Sequence, residues 1–125
     1  MPKKPTRKNL IKKLDTVFSQ YIRQRYAKNE IATCVTCGKK DHYKKLQAGH
    51  FMSRKHYSTR WDEDNVEVQC QACNVFRYGE QYLFAKYLGQ EKADALLTKS
   101  RETVKFSDYD IQEMIDLYKT KLSLL

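Results

Sequence analysis

Four cysteines stand in two C-x-x-C pairs, Cys34-Val35-Thr36-Cys37 and Cys70-Gln71-Ala72-Cys73, and none is left over. Four thiolates at that spacing can close a tetrahedral zinc shell, and a closed shell leaves no position for water or substrate. The zinc expected here is therefore structural. A single C-x-x-C could serve as a redox pair, but two of them in a reducing compartment favour metal binding. Between the pairs lie Gly49-His50-Phe51 and Asp64-Asn65-Val66, and Asn74 follows the last cysteine directly. A neutral imidazole is suited to taking a proton from water near neutral pH. The side-chain oxygen of an asparagine suits a hard cation such as magnesium or manganese. Hydrolysis of a phosphodiester needs a base, a cation and something that positions the phosphate. His50 and Asn74 supply residue types for the first two, which the four-cysteine site cannot.

These residues need short elements to hold them. Gly38, directly after Cys37, suits the tight turn of a zinc knuckle because glycine tolerates positive φ. Residues 39–45 are polar and expected as a loop. Leu46 to Met52 is expected as a strand presenting His50, and 53–59 as a basic loop. Val66-Glu67-Val68 alternates as a half-buried strand does. Asn74 then opens a short helical stretch to about Arg77. Upstream, Asn9 can cap a helix to about Lys28, with Leu10, Leu14, Val17, Phe18, Tyr21 and Ile22 on one stripe. Downstream, Tyr82, Leu83, Phe84, Tyr87 and Leu88 form a stripe ending at Gly89, and Ala93, Leu96 and Leu97 face inward from a second helix. Ser107 caps a third, with Ile111, Met114, Ile115, Tyr118 and Leu122 at helical spacing.

The chain has 125 residues, which favours one domain. Its divisions are a basic disordered tail over 1–8, a basic helix over 9–28, a zinc-bound core over 31–79 and helices over 80–125. Net charge is +9, and residues 1–28 hold nine Lys/Arg against Asp15 alone. Such an excess favours a polyanionic partner, above all nucleic acid. Lys12, Lys13, Arg54, Lys55, Arg60 and Arg77 are the candidate phosphate contacts, although Arg60 could instead pair with the acids that follow it. No apolar run approaches the ~18 residues of a membrane span. The start carries no signal-peptide apolar region, so the expected location is cytoplasmic. Trp61 is expected in the core.

The blocks Cys34-Val35-Thr36-Cys37-Gly38, Gln47-Ala48-Gly49-His50-Phe51, Thr59-Arg60-Trp61-Asp62-Glu63-Asp64-Asn65-Val66 and Gln69-Cys70-Gln71-Ala72-Cys73-Asn74 resemble the HNH, or ββα-metal, endonucleases. Within them the chain looks most like the lambdoid-phage recombination endonucleases called NinG or Rap. The resemblance covers a little over a third of the chain. It implies an α+β, mostly helical fold: a small zinc-stapled ββα-metal core flanked by N-terminal and C-terminal helices. It implies that His50 is the general base, that Asn65 braces the loop and so orients it, and that Asn74 holds a catalytic magnesium or manganese. Cys34, Cys37, Cys70 and Cys73 match the structural zinc ligands. The residue before the base is often Asp or His and binds the metal too; here it is Gly49. His56 is one candidate for that second ligand, and Asp62, Glu63 and Asp64 are others. The implied substrates are branched recombination intermediates, D-loops and Holliday junctions, met in a phage-infected bacterium. Two cuts in a junction suggest a homodimer, through the N- or C-terminal helices.

Two other classes share part of the pattern. A non-catalytic zinc module that binds DNA needs the knuckles and the charge but not His50 with Asn74. An HNH nuclease acting on linear duplex needs both, but 125 residues leave little room for a sequence-specificity domain. Charge alone also admits an RNA-directed zinc protein.

Overall fold

The computed structural model describes residues 3–125; Met1 and Pro2, part of the expected tail, lie outside the described residues. Helix α1 spans Arg7–Gln24, capped by Thr6, whose hydroxyl accepts from the Asn9 N–H at 3.2 Å. It starts two residues before the expected cap and stops four residues short of Lys28. Pro5 fixes an extended entry that leaves Thr6 as the cap, and Asn29 and Glu30 turn left-handed (φ 51° and 66°), ending any helix. Leu10, Leu14, Val17, Phe18 and Ile22 are its buried stripe.

The first knuckle is a hairpin. Strand β1 (Ile31–Thr33) pairs antiparallel with β2 (Lys40–His42), in the register Ile31↔His42. The expected polar loop is thus partly a strand followed by a 3-10 turn over Tyr43–Lys45. Its pattern carries no buried face, so periodicity had nothing to detect. The second hairpin holds the candidate chemistry. Strand β3 (Gln47–His50) pairs antiparallel with β4 (Val66–Gln69), His50 opposite Val66 and Gln47 opposite Gln69. The segment between contains a short helix α2 (Tyr57–Arg60) where a loop was expected. Strand β4 is buried along its length rather than on alternate residues. Glu67 tolerates this because Arg25 donates from Nη2 to its Oε1 at 3.0 Å and to the carbonyls of Glu63 and Val66. Arg25 is thereby an internal clamp and not a free cation.

After β4 the chain makes one wide π turn over Ala72–Phe76, closed by the Arg77 N–H on the Ala72 carbonyl at 2.8 Å. Helices α3 (Gln81–Leu88), α4 (Gln90–Ser100) and α5 (Asp108–Ser123) follow. The expected α3 stripe is largely exposed: Phe84 is buried, whereas Tyr82, Leu83 and Tyr87 are not. Phe84 meets Phe51 at 5.4 Å between ring centroids, and this single anchor seats the helix. In α4, Ala93 and Leu96 point inward as expected and Leu97 does not. Helix α5 is capped by a reciprocal Ser107–Asp110 box and packs along α1, with Tyr118 edge-on to Phe18 at 4.8 Å. The stripes of α1 and α5 therefore cover each other within one chain. No helix among the described residues is long and apolar enough to cross a membrane.

Candidate metal centre and adjoining cleft

The four cysteine sulfurs, brought from the two hairpins, lie within 4.8 Å of one another. Cys37 and Cys70 Sγ are 3.6 Å apart, near the edge of about 3.8 Å for a tetrahedron with Zn–S of about 2.3 Å. Without a cation the cluster is electrostatically awkward. Burial raises the Cys34 thiol, but the Thr36 hydroxyl and the N–H groups around it hold it down to about 6. The Lys39 N–H favours the Cys37 thiolate, yet burial and the neighbouring sulfurs push that thiol up to about 12. A soft dication resolves this conflict by binding all four as thiolates. Arg77 Nη1 lies 3.9 Å from Cys73 Sγ. Its charge serves the cluster, so among the expected phosphate contacts Arg77 already has a partner.

Cys73 and Asn74 share the π turn. Its extra width lets Cys73 face the sulfurs while Asn74 faces the opposite side, into a cleft of about 450 Å³. Asn74 does not open the helical stretch, as expected, but sits in mid-turn. Its Nδ2 donates to Gln47 Oε1 at 2.8 Å, which leaves Oδ1 as the remaining acceptor. Asp15, Arg23, His50 and Arg54 line the same cleft. The Asn74 and Asp15 side chains offer oxygens there, the donor type of a hard cation.

His50 is held from two directions. Its strand register turns it into the cleft, and its Nε2 lies 3.0 Å from the Arg60 carbonyl. A carbonyl only accepts, so Nε2 carries the hydrogen and Nδ1 carries the lone pair. Burial, with help from Arg54, pushes His50 down to about 4 against the opposing pull of the Arg60 carbonyl and Asp15. The ring is neutral at physiological pH.

Arg60 is fixed in turn. Its Nε and Nη2 donate to the two Asp15 oxygens at 3.1 and 2.6 Å, and its Nη1 donates to the Arg54 carbonyl at 3.1 Å. Trp61 Nε1 donates to Asp15 at 2.9 Å from a buried position. The expected pairing of Arg60 with the acids that follow it is replaced by one with Asp15, from α1. Those acids anchor helices: Asp62 accepts from Lys99 at 2.6 Å, Glu63 from Lys121 at 2.6 Å, and Asp64 faces Lys92 at 3.5 Å. None of the three lines the cleft, and neither does His56, which occupies the cap position of α2. Arg54 does. Lys55 is an exposed neighbour of it, and Lys12 and Lys13 line a separate groove between α1 and α5.

Asn65 is fully buried. Its Nδ2 donates to the carbonyls of Met52 and Thr59 at 3.0 and 2.9 Å, and its Oδ1 accepts from the Met52 N–H at 2.7 Å. Both ends of the segment carrying Arg60 are tied by one amide. Asn65→Ala leaves those groups unpaired and is expected to cost about 3 kcal/mol. Urea unfolding measures it, and a loss under ~0.5 kcal/mol contradicts the bracing.

Gly49 has a physical reason that the sequence does not display. A Cβ there would lie 1.9 Å from Gln69 Oε1. Gln69 cannot withdraw: it is fully buried, and its Nε2 donates to Gly79 O at 2.8 Å and Thr36 Oγ1 at 3.2 Å. Gly49→Ala is expected to destabilise by about 1–3 kcal/mol. Gly49→Asp, despite restoring the commoner residue, is expected to do worse, with thermal unfolding as the readout.

Asp15, Gln47, Arg23 and Gln69 were given no role in the site by the sequence. Asp15 had one signal: it is the lone acid among nine cations and borders the apolar stripe of α1. A family model described as "Bacteriophage Lambda NinG protein" matches residues 3–125. No curated protein and no solved structure matches the chain.

Proposed function

The chain belongs to the bacteriophage Lambda NinG family, and from that premise we propose that it is a metal-dependent, structure-selective DNA endonuclease of the HNH type. The observation that carries the reading is the orientation of His50. Its Nε2 is fixed on the Arg60 carbonyl and its ring lines a cleft shared with Asn74 and Arg54. That cleft is distinct from the cysteine cluster, so a catalytic ion held there would be separate from a structural zinc.

His50 takes a proton at Nδ1 from a water molecule, which attacks phosphorus in line as the bond to the 3′ oxygen breaks, and the departing 3′ oxygen takes its proton from solvent. The products are a 5′ phosphate and a 3′ hydroxyl. Arg54 and Lys55 bind phosphate beside the scissile bond. Asn74 Oδ1 would hold magnesium or manganese, which when bound supplies charge stabilisation at the phosphoryl and leaving oxygens. Asn65 and Asp15 keep Arg60, and with it His50, in place. By family resemblance the substrates are Holliday junctions and D-loops, in the cytoplasm of the phage-infected cell. Two symmetric cuts call for two protomers on one junction.

Substrate choice is tested by comparing kcat/KM on a four-way junction with that on a linear duplex of matched sequence, and by mapping the product ends. A junction preference with 5′ phosphate ends is expected. Equal cleavage of the two makes the protein a duplex nuclease. Tight junction binding without cleavage in magnesium or manganese makes it a non-catalytic DNA-binding module.

A further inference from the structure

We propose that a second cavity, beside the cleft, receives one unpaired nucleobase of the bound DNA. The inference rests on the reading of the chain as a DNA-binding nuclease and names the feature of branched DNA that it recognises. The cavity, about 460 Å³, lies between the end of α1 and the residues after it, the first knuckle from Ala32 to Gly38, strand β4 and helix α3. Tyr26 and Tyr87 line it and are 68% and 50% exposed. The Arg25 guanidinium packs 4.8 Å from the centre of the Tyr26 ring and fixes it in place.

Three observations favour a nucleobase as the occupant. First, Arg23 lines both this cavity and the cleft, so the two adjoin at one guanidinium. Arg23 is held by Ser19 and by the Tyr43 carbonyl, a fixed cation where a phosphate would pass from one space to the other. Second, exposed tyrosine rings stack on any base face without regard to sequence. Third, the Glu67 carboxylate also lines the cavity. It accepts from Arg25 at Oε1 and retains capacity for the N–H groups on a base edge. The Arg25–Glu67 pair leaves no net positive charge there to draw in a phosphate, and the apolar lining from Ala27, Ala32, Val35 and Val68 suits a base better than the backbone. Paired bases of a duplex are stacked and cannot enter, whereas the displaced single strand of a D-loop offers unpaired ones at little cost. The cavity thereby gives selectivity for branched DNA a physical origin.

The test uses a short single strand with a central 2-aminopurine, zinc-loaded protein and no magnesium, so that binding is read without cleavage. Wild type is expected to bind it with a change in 2-aminopurine fluorescence. Tyr26→Ala/Tyr87→Ala is expected to weaken that binding by about tenfold or more. It should leave a linear duplex within about twofold, because the phosphate contacts in the cleft are untouched. Zinc content and circular dichroism verify the fold. Tyr26→Leu/Tyr87→Leu, which keeps bulk without rings, gives the same reading if the alanine variant is unstable. Unchanged binding and fluorescence, or equal loss on both DNAs, overturns the proposal. So does a wild-type dimer that only the double variant dissociates, with single-strand binding unchanged; the face then joins two copies. In a parallel reaction with magnesium and a four-way junction, cleavage by a variant whose 2-aminopurine signal is intact would sink the cavity but spare the nuclease. Ring-dependent binding without any cleavage would do the reverse.

Discussion

Serine at Cys73 is expected to abolish the folded state. Cys73 is fully buried and shares its π turn with Asn74, while Cys34 and Cys37 belong to the other hairpin. The sulfur cluster therefore ties together the two-stranded units, beside the Val35 N–H on the Val68 carbonyl and the Gln69–Thr36 bond, and neither unit is stable as an isolated hairpin. Structural zinc contributes an apparent ~10–16 kcal/mol in small zinc domains, against a typical total stability of about 5–15 kcal/mol. Serine leaves a three-sulfur site that binds zinc weakly. The variant should lack zinc and show no cooperative melt by circular dichroism. A wild-type-like melt in zinc-free protein contradicts the structural role. Magnesium removal, in contrast, should leave the melt unchanged, because the core contacts of the cleft residues, such as Asp15 with Arg60 and Trp61, are made without a cation.

His50→Ala is expected to lower kcat by about 10²–10⁴-fold, the usual contribution of a positioned base. KM should stay within about threefold and zinc content should not change, because the His50 ring is bonded to the Arg60 carbonyl and not to the sulfurs or to Arg54. The pH dependence is a sharper form of the same prediction. Burial holds His50 at about 4, below the ordinary value of about 6.5. Its Nδ1 lone pair is therefore available throughout the range between, and the rate should not fall through about pH 6.5 from His50 protonation. Stability carries the opposite sign of risk. The unfolded chain takes up the proton first, so His50 costs no stability above about 6.5 and destabilises the fold progressively as pH falls toward 4. An acid limb in kcat/KM centred near 6.5 and lost in the alanine variant contradicts the lowering of His50 by burial.

Residues that announce their chemistry were legible from sequence. The cysteine spacing, the strand presenting His50, the partner strand from Val66 and the capped helix from Ser107 all stand where the pattern put them. What escaped follows from long-range contacts. Asp15 is an ordinary helix-surface acid until Arg60 and Trp61 arrive from 45 and 46 residues away. The acids at 62–64 look like ligands by type, and only the positions of Lys92, Lys99 and Lys121 show that they anchor helices. Gly49 looks like a missing ligand, and only the buried Gln69 amide shows that no side chain fits. The stripe of α3 failed because an amphipathic pattern states which face is apolar, not whether another element covers it.

The most direct measurement is single-turnover cleavage of a labelled four-way junction by zinc-loaded wild type and His50→Ala, with and without magnesium. Cleavage by wild type that requires magnesium, and that is lost in the variant while zinc and junction binding persist, is the result this account predicts. A wild-type protein that binds the junction and leaves it intact, or a variant that cuts at the wild-type rate, contradicts it.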